Sequence, residues 1–295
     1  MGRAPEGVDI CMSVLHNVAS FFRWRVIALR YAGKLRSLPA RRVFGGAGPR
    51  TAAAQRIVRD GHDPGPMLGA RELEDMVGIY GPRTRGVVRR EDGHPFVNIF
   101  SATDIEMANP VVRRAFSPEV LDVADDYFGG RLVLDSIQVL YSWPTQGALR
   151  ESQLWHKDYG DTKSFHWIAY LNDVNGPDDG PFSFIDKHDA RRISPSLFIR
   201  RISDEALLRE LGGGRVRVFL GRAGDSIFVD PAACYHSGSR CRNPRLAVFV
   251  TFNTSNPFVA PTDPVRENRQ RLFEVARSLR PDLSDSYLGR LLQIH

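Results

Sequence analysis

Short segments of β-strand character recur between residues 131 and 253, and this recurrence constrains the fold more than any other feature. Residues of Arg131–Trp143 alternate with a period of two, which predicts a strand with one side formed by Leu132, Leu134, Ser136, Gln138 and Leu140. Further segments of this character are Ser164–Asn172, Pro181–Ile185, Arg215–Leu220, Ser226–Val229 and Leu246–Asn253. Glycine-rich turn signals separate several of them, as at residues 175–180 and 212–214. Many short strands with such turns predict a mainly β fold, either a sandwich or a jelly roll.

Helices are predicted on both sides of this strand region. Ser117-Pro118-Glu119 combines a capping serine, a proline at the first helical position and an acid in the first turn, and Gly129-Gly130 ends that helix. The other predicted elements are a helix over Arg71–Tyr80, a short strand over Pro95–Phe100, a helix over Asp263–Leu279 that Pro281 ends, and a short helix from Ser284. Residues 95–295 contain no internal repeat and no break in composition. We therefore expect one jelly-roll domain over residues 67–295, with helices packed outside the barrel.

Residues 1–66 form a basic N-terminal arm in this interpretation. Apolar residues at helical spacing over Ser13–Tyr31 predict an amphipathic helix whose basic face includes Arg23, Arg30 and Lys34. We favour docking of this helix on its own domain, and peripheral contact with a membrane surface is the alternative. Residues 36–66 are rich in Gly, Pro and Arg without a steady period, which predicts a long loop or partly ordered arm.

Charge and cysteine content indicate which partners and which cellular compartment are expected for this protein. The net charge is +6, and residues 10–59 hold ten Lys or Arg without any Asp or Glu. A solvated basic face is the preferred explanation, so we expect no nucleic-acid partner. No apolar stretch reaches the roughly 18 residues that span a bilayer, and three cysteines do not suggest a disulfide framework. These features favour a cytoplasmic protein, with an Arg-rich mitochondrial targeting segment as the alternative, and they leave the oligomeric state open.

His156 and Asp158 lie two residues apart in a segment of strand character, Leu154–Tyr159. Because residues i and i+2 of a strand point to the same face, their imidazole and carboxylate can reach one point in space. His236 follows 80 positions after His156 and provides a third ligand. Two histidines and one carboxylate on one face of a metal form the facial triad of non-haem Fe(II) oxygenases.

Arg245 opens the apolar run that ends at Phe252, nine residues after His236. The fork of an arginine pairs bidentately with a carboxylate, so an arginine on a strand beside the metal suits the far carboxylate of 2-oxoglutarate. The sequence therefore predicts a metal site with Arg245 as the anchor of an anionic co-substrate.

The order of these parts resembles the phytanoyl-CoA dioxygenase family of Fe(II)/2-oxoglutarate oxygenases over about Arg131–Phe252. The shared parts, in chain order, are Gln138, Trp155-His156-Lys157-Asp158, residues 168–174 through Gly180-Pro181-Phe182, Gly224-Asp225, His236 and Arg245. The resemblance implies a double-stranded β-helix, a cupin-like jelly roll with the metal near its mouth. It also implies Fe(II), 2-oxoglutarate and O2, and a small-molecule substrate that is hydroxylated or otherwise oxidised at a C–H bond with release of succinate and CO2.

Further residues around the site receive interpretations of their own. Gln138 can reach the co-substrate, as the corresponding strand of the family does, or it can make a cross-strand hydrogen bond. Trp155 is expected to pack behind the ligand pair, and Tyr159 is a candidate for substrate contact. His166 alternates with Tyr170 on one strand, so both can face the cavity, although a histidine of the cavity wall is the preferred interpretation of His166.

One departure concerns the residue two positions after the arginine. Some 2-oxoglutarate oxygenases outside this family carry a serine there, whereas this chain has Ala247. The second contact to the distal carboxylate must therefore come from elsewhere in the chain.

Three other interpretations are kept beside the oxygenase. The first is a cupin-type metal enzyme that does not use 2-oxoglutarate, and the second is a non-catalytic jelly-roll binding module whose basic arm is the functional part. The third, a zinc half-site formed by Cys234, His236 and Cys241, is disfavoured because no second pair of soft ligands completes four-coordination.

Overall fold

The strands pair antiparallel in two sheets in a computed structural model, which describes residues 48–89, 94–145, 147–193, 201–211 and 215–294. In chain order the strands are β1 His62–Pro64, β2 Phe96–Asn98, β3 Leu132–Ser142, β4 Trp155–His156, β5 Ser164–Tyr170, β6 Phe182–Phe184, β7 Arg201–Ile202, β8 Arg217–Phe219, β9 Ser226–Val229, β10 His236–Ser237 and β11 Arg245–Thr254. One sheet has the order β1-β9-β5-β11-β3-β2, and the other has the order β7-β4-β10-β6-β8. This arrangement is a double-stranded β-helix, so the predicted fold class is confirmed.

Helices pack against the outer face of the six-stranded sheet and form the main core with it. The helices of the described residues are α1 Ala52–Asp60, α2 Ala70–Tyr80, α3 Pro110–Ala115, α4 Val123–Phe128, α5 Lys187–Ala190, α6 Asp204–Leu211, α7 Arg269–Leu279 and α8 Asp285–Leu291. Outward-facing strand side chains such as Trp167 and Phe252 are fully buried in this core. Each aromatic side chain buried in this way contributes roughly 2–3 kcal/mol to folding. None of the described helices is long and apolar enough to cross a membrane.

The inner faces of the two sheets enclose a second, smaller core. Ile168 of β5 and Val229 of β9 lie there against Phe182 and Phe184 of β6. Residues 247, 249, 251 and 253 of β11 pair with residues 170, 168, 166 and 164 of β5. Because side chains alternate along a strand, these four rows face the space between the sheets, where the candidate site lies.

β3 carries a β-bulge at Asp135, which has no partner in β11 because Ser136 pairs with Thr251 and Leu134 pairs with the next residue of β11. One extra residue reverses the alternation of side chains, so each residue after the bulge faces the opposite side of the sheet from the side that the period of two predicts. The prediction of one continuous side along this strand is therefore wrong. Residues before the bulge join the helix-facing core, and the residues that face the space between the sheets after the bulge are Ser136, Gln138 and Leu140.

Residues 48–66 contribute a helix and a strand to the fold. Thr51 caps α1, since its hydroxyl accepts from the Ala54 amide at 3.2 Å. β1 pairs with β9, with His62 opposite Val229. The prediction of a loop over residues 36–66 is therefore wrong for its described part. The predicted helix over Ser13–Tyr31 lies outside the described residues.

Most other predicted elements are present, with shifted ends. α2, β2, α4, α7 and α8 correspond to predicted segments, and α8 follows a capping Ser284 as expected. The helix predicted from Ser117 opens with a π-helical turn over Pro118–Asp122 before α4. The tail helix begins at Arg269, six residues later than predicted. The segment of strand character predicted over Leu154–Tyr159 is present only as β4, which ends at His156, so Asp158 lies outside the strand. The elements that were not predicted are β1, the two-residue strands β7 and β10, and helices α1, α3, α5 and α6.

Candidate metal centre

Three side chains with metal-binding chemistry converge between the two sheets. His156 of β4 and His236 of β10 pair directly across the ladder, and Asp158 follows β4. The Nε2 atoms of His156 and His236 lie 3.6 Å and 3.7 Å from Asp158 Oδ1. One ligand atom from each residue lies within 4.8 Å of the other two. The structure therefore brings the three predicted ligands together in a group that can hold a metal ion.

Hydrogen bonds determine which nitrogen of each imidazole faces the centre. His156 Nδ1 donates to Leu154 O at 2.8 Å, and His236 Nδ1 donates to Cys234 O at 3.2 Å. The proton therefore resides on Nδ1, and Nε2 offers its lone pair toward Asp158. Burial, followed by repulsion from His236, lowers the pKa of His156 to about 4, which keeps this ring neutral at pH 7.

A buried turn positions the backbone at Asp158. The amide of Asp158 donates to Pro231 O at 2.9 Å. Asp230 holds that turn, because its Oδ1 accepts from two backbone amides of the turn and its Oδ2 accepts from the Tyr127 hydroxyl at 2.6 Å. The same turn leads into His236, so one structural unit positions two of the three candidate ligands.

Arg245 is the first residue of β11, and only 2% of its surface is exposed. Its Nη1 donates to Gly180 O and its Nη2 donates to Ser239 Oγ at 2.9 Å, while Nε is buried without a hydrogen-bond partner. A Cβ atom added at Gly238 would lie 3.8 Å from Nη1, which places the guanidinium close to the backbone two residues after His236. No carboxylate of the described residues pairs with it. A buried cation without an anion is costly, so this site suits an anionic ligand.

Ser239 provides a hydroxyl beside this arginine, although it was not among the predicted site residues. Its Oγ accepts from Arg245 and lies 3.0 Å from Ser142 Oγ. Ser239 has a φ of 58°, in the left-handed region that residues other than glycine seldom adopt. Gln153 Nε2 donates to Ser239 O at 2.8 Å and supports this conformation. Ser239, which precedes Arg245 in the chain, thus supplies the hydroxyl that Ala247 lacks.

His166 of β5 lies beside Asp158, with its Nε2 atom 3.5 Å from Asp158 Oδ2. Burial lowers the pKa of His166 to about 4 against the opposing charge of Asp158, so this ring is neutral at pH 7. Its Nδ1 atom is buried and has no hydrogen-bond partner in the described part of the chain. His166 faces the carboxylate oxygen opposite to the one that His156 and His236 approach, so it can orient Asp158.

Gln138 and Tyr170 both face the space between the sheets. Gln138 lies opposite Phe249, is half-buried, and makes no side-chain hydrogen bond to other described residues. Tyr170 is fully buried, and its hydroxyl donates to Phe219 O at 2.9 Å and accepts from the Phe182 amide at 2.9 Å. The amide of Gln138 is therefore available to a ligand, whereas the hydroxyl of Tyr170 joins the two sheets.

Trp155 and Tyr159 flank the candidate ligands along the chain. Trp155 Nε1 donates to Asp204 Oδ1 at 2.7 Å, and its ring joins a small core with Tyr235 outside the site. Tyr159 is half-buried. Burial of Tyr235, followed by its interaction with Tyr159, raises the pKa of Tyr235 to about 12. Trp155 thus packs behind His156, on the side away from Asp158.

Cys234 and Cys241 do not take part in the centre. Cys234 and Cys241 are both buried and free. Their sulfur atoms face Gly61 O at 3.6 Å and Asp179 O at 3.9 Å, respectively. The metal-binding group found among the described residues contains neither cysteine, so the disfavoured zinc half-site is not formed.

Several solved structures with the same fold share less than 20% sequence identity with this chain. No family model matches this chain, and no curated protein matches it. The apo form of EctD from S. alaskensis aligns with a TM-score of 0.53 at 19% identity, covering 74% of this chain and 84% of that chain. The epimerase SnoN, in complex with Fe3+, alpha ketoglutarate and nogalamycin RO, aligns with a TM-score of 0.51 at 19% identity over 72% and 86% of the two chains. SnoK, an alpha ketoglutarate dependent carbocyclase from nogalamycin biosynthesis, gives 0.51 at 18% identity over 74% and 91%. At these identities the likeness supports the double-stranded β-helix, and the relation to the phytanoyl-CoA dioxygenase family stays a prediction.

Proposed function

We propose that this chain is an Fe(II)- and 2-oxoglutarate-dependent dioxygenase that oxidises a C–H bond of a small-molecule substrate. The observation that carries this proposal is the combination of two features within one interior. His156, Asp158 and His236 form a metal-binding group, and the buried guanidinium of Arg245 lacks a carboxylate partner among the described residues.

The donor set fits Fe(II). Two neutral imidazole nitrogens and one carboxylate oxygen from one side of a metal are the facial triad of non-haem iron oxygenases. The Nδ1 hydrogen bonds of His156 and His236 hold both rings with Nε2 toward Asp158, as metal-binding histidines require. When bound, Fe(II) and 2-oxoglutarate would supply the oxidation of the substrate by O2, with release of succinate and CO2.

Arg245 fits the distal carboxylate of 2-oxoglutarate. Its Nε is without a partner, and its fork can pair with a carboxylate that enters from the interior. Ser239 Oγ already lies 2.9 Å from Arg245 Nη2 and can donate to the same carboxylate. Gln138 has a half-buried amide without a partner in the described chain, and we assign it contact with the co-substrate.

Apolar side chains surround the space between these charged groups. Ile168 and Tyr170 are fully buried, and Phe249 packs on both of the small inner clusters that contain them. A dry surrounding strengthens the pairing of Arg245 with a carboxylate. It also limits the access of water to a reacting substrate.

The outcome at the substrate carbon is open to several reactions. The similar structures include an epimerase and a carbocyclase, so one fold serves different reactions. We assign hydroxylation, the default outcome of oxidation at a C–H bond, and the Asp158 carboxylate in the metal-binding group argues against halogenation. A cupin-type enzyme that does not use 2-oxoglutarate is less well supported, because it would leave Arg245 without an anion.

Binding of two matched 2-oxo acids tests this proposal. The full chain is loaded with Fe(II) without oxygen and titrated calorimetrically with 2-oxoglutarate and with 2-oxopentanoate, which lacks the distal carboxylate. We expect 2-oxoglutarate to bind roughly a hundredfold more tightly, and Arg245→Ala to abolish this difference. Equal affinity of the wild-type chain for both acids would refute the use of 2-oxoglutarate.

A further inference from the structure

Asp135 reaches the interior because of the β-bulge in β3. The bulged residue has no partner in β11, and its carboxylate turns toward Asn253, whose side chain lies on an inward-facing row. Asp135 is half-buried. It takes no part in the proposed binding of metal or 2-oxoglutarate.

A buried network holds this carboxylate in place. Asn253 Nδ2 donates to Asp135 Oδ1 at 3.0 Å, and Asn253 Oδ1 accepts from Ser164 Oγ at 2.8 Å. The second bond fixes the orientation of the amide, so that its NH2 group must face Asp135. Asn253 is 4% exposed and Ser164 is 3% exposed. The position of Asp135 is therefore set before any ligand arrives, as in a built binding site.

The charge of Asp135 lacks a positive partner. Its Oδ2 has no hydrogen-bond partner, and no Lys or Arg of the described residues forms an ion pair with it. Burial, followed by the negative charge of Asp158, raises the pKa of Asp135 to about 7. A cation that bound here would offset both the burial and the repulsion.

Asp135 is close enough to Asp158 for the charge of that carboxylate to act on it, and its partner Asn253 lies at the opposite end of β11 from Arg245. The segment of residues 255–262 joins the two regions, since the Phe258 amide donates to Gly160 O and the Thr262 amide donates to Asp135 O, both at 2.9 Å. Gly160 is two residues after the candidate ligand Asp158. Along β11, Asn253 is eight residues from Arg245, or about 27 Å at the usual rise of a strand.

Arg245 at one end and Asp135 at the other thus form no ion pair with any described residue. The Arg245 end suits the co-substrate, which leaves the Asp135 end for the substrate. The row between Asn253 and the metal group also contains His166, whose Nδ1 is buried without a partner in the described chain. A second polar atom without a partner near Asp135 is expected where a polar ligand binds.

We propose that the Asp135 carboxylate binds a protonated amine of the substrate. The substrate class that follows is a small molecule with a primary ammonium group near the carbon that is oxidised. The assignment of this amine to a substrate rests on the proposed oxygenase function, whereas the cation site itself does not.

Two isosteric probes test the site on the full chain. Binding of n-butylammonium and of 1-butanol is titrated by ligand-detected NMR, with Fe(II) and 2-oxoglutarate present and without oxygen. The wild-type chain should bind the ammonium roughly tenfold or more tightly than the alcohol, as expected of a hydrogen bond to a charged group. Asp135→Asn should abolish this preference, because its side-chain oxygen can still accept from Asn253 but carries no charge.

Asp178→Asn is the matched control, because this carboxylate is 59% exposed and pairs only with Arg242 on the surface. It should keep the preference for the ammonium. Equal binding of the two probes by the wild-type chain, or a retained preference in Asp135→Asn, would overturn the proposal.

Titration of Fe(II) and 2-oxoglutarate on the same samples separates this inference from the proposed function. A wild-type chain that binds Fe(II) and 2-oxoglutarate normally but shows no preference for the ammonium refutes the inference alone. A preference that depends on Asp135, in a chain that binds no 2-oxoglutarate, supports the cation site and refutes the oxygenase.

Discussion

His156 and His236 pair directly across the ladder of β4 and β10, and their ring centroids lie 4.3 Å apart. The two residues are 80 positions apart in the sequence, so the hydrogen-bonded ladder brings them together. Backbone pairing sets the separation of the two Cα atoms, and the Nδ1 hydrogen bonds set the orientation of each ring. The positions of the two histidines therefore follow from the sheet.

Removal of either imidazole should abolish metal binding. His156→Ala or His236→Ala leaves two of three ligands, and we expect the affinity for Fe(II) to fall more than roughly a hundredfold, since even the loss of an outer hydrogen-bond partner costs 10- to 100-fold. Equilibrium dialysis without oxygen measures it. His188→Ala is the control, because this side chain is 79% exposed and pairs with Asp189 outside the metal-binding group. Normal Fe(II) binding by either ligand variant would remove that residue from the centre.

Loss of the guanidinium of Arg245 should affect the co-substrate and spare the metal. Arg245→Ala should weaken 2-oxoglutarate by about 3 kcal/mol or more, because the distal carboxylate would be buried without its partner. Calorimetry gives the dissociation constant, and Fe(II) binding should stay within about threefold of the wild-type value. Arg242→Ala is the control, since Arg242 is 83% exposed. Equal weakening in both variants would indicate a general effect of charge.

The hydroxyl of Ser239 should contribute to the same binding step. Ser239→Ala removes an acceptor of Arg245 Nη2 and a donor to the incoming carboxylate, so the affinity for 2-oxoglutarate should fall roughly tenfold. Ser239→Gly removes the same hydroxyl but relieves the left-handed backbone conformation. The glycine variant should therefore match the alanine variant in affinity and unfold at a higher temperature. Unchanged affinity in both variants would exclude Ser239 from the anion site.

The long strands could be predicted from the sequence because each carries its own periodicity. β3, β5 and β11 are seven or more residues long, and their apolar alternation is complete within one segment. β4 and β10 have two residues each, which is too short for any period. His156 was recognised through its i, i+2 spacing to Asp158 in a segment of strand character, and His236 through its side-chain chemistry alone.

Ser239 and Asp135 could not be recognised as site residues from the local sequence. Ser239 faces Arg245 because of a left-handed backbone conformation that Gln153 supports, and the spacing of the chain does not encode this contact. The bulge at Asp135 contains neither Gly nor Pro, so the period of two continued through it without any visible break. Both features depend on residues more than 80 positions away, which sequence periodicity does not reveal.

The stability of the ligand-free chain should decrease as pH rises toward 7, through Asp135. Burial and the charge of Asp158 raise the pKa of this carboxyl to about 7, whereas an unfolded chain has a value of about 4. Between these values the folded state binds more protons, so the free energy of unfolding falls with rising pH, by up to about 1.4 kcal/mol per pH unit. Asp135→Asn should lack this component.

Urea unfolding of both chains at several pH values measures the difference. The lowered pKa values of His156 and His166 favour unfolding as pH falls below about 6.5, but they contribute similarly to both chains and cancel. Parallel curves for the wild-type chain and Asp135→Asn would contradict the raised pKa.

Asp158 should prevent halogenation, so that the substrate gains oxygen or loses hydrogen but receives no halogen. Its carboxylate lies within 3.7 Å of both histidine Nε2 atoms, so it occupies the ligand position that a halide would need at a facial triad. We expect an excess of chloride or bromide to leave the wild-type product unchanged, and isotopic O2 to label any hydroxylated product. Asp158→Gly removes the third ligand and should lose most activity, while halide should then raise its affinity for Fe(II). Mass spectrometry of the product tests this prediction, and Asp178→Asn is the control for loss of a carboxylate. A halogenated wild-type product would be incompatible with Asp158 as a metal ligand.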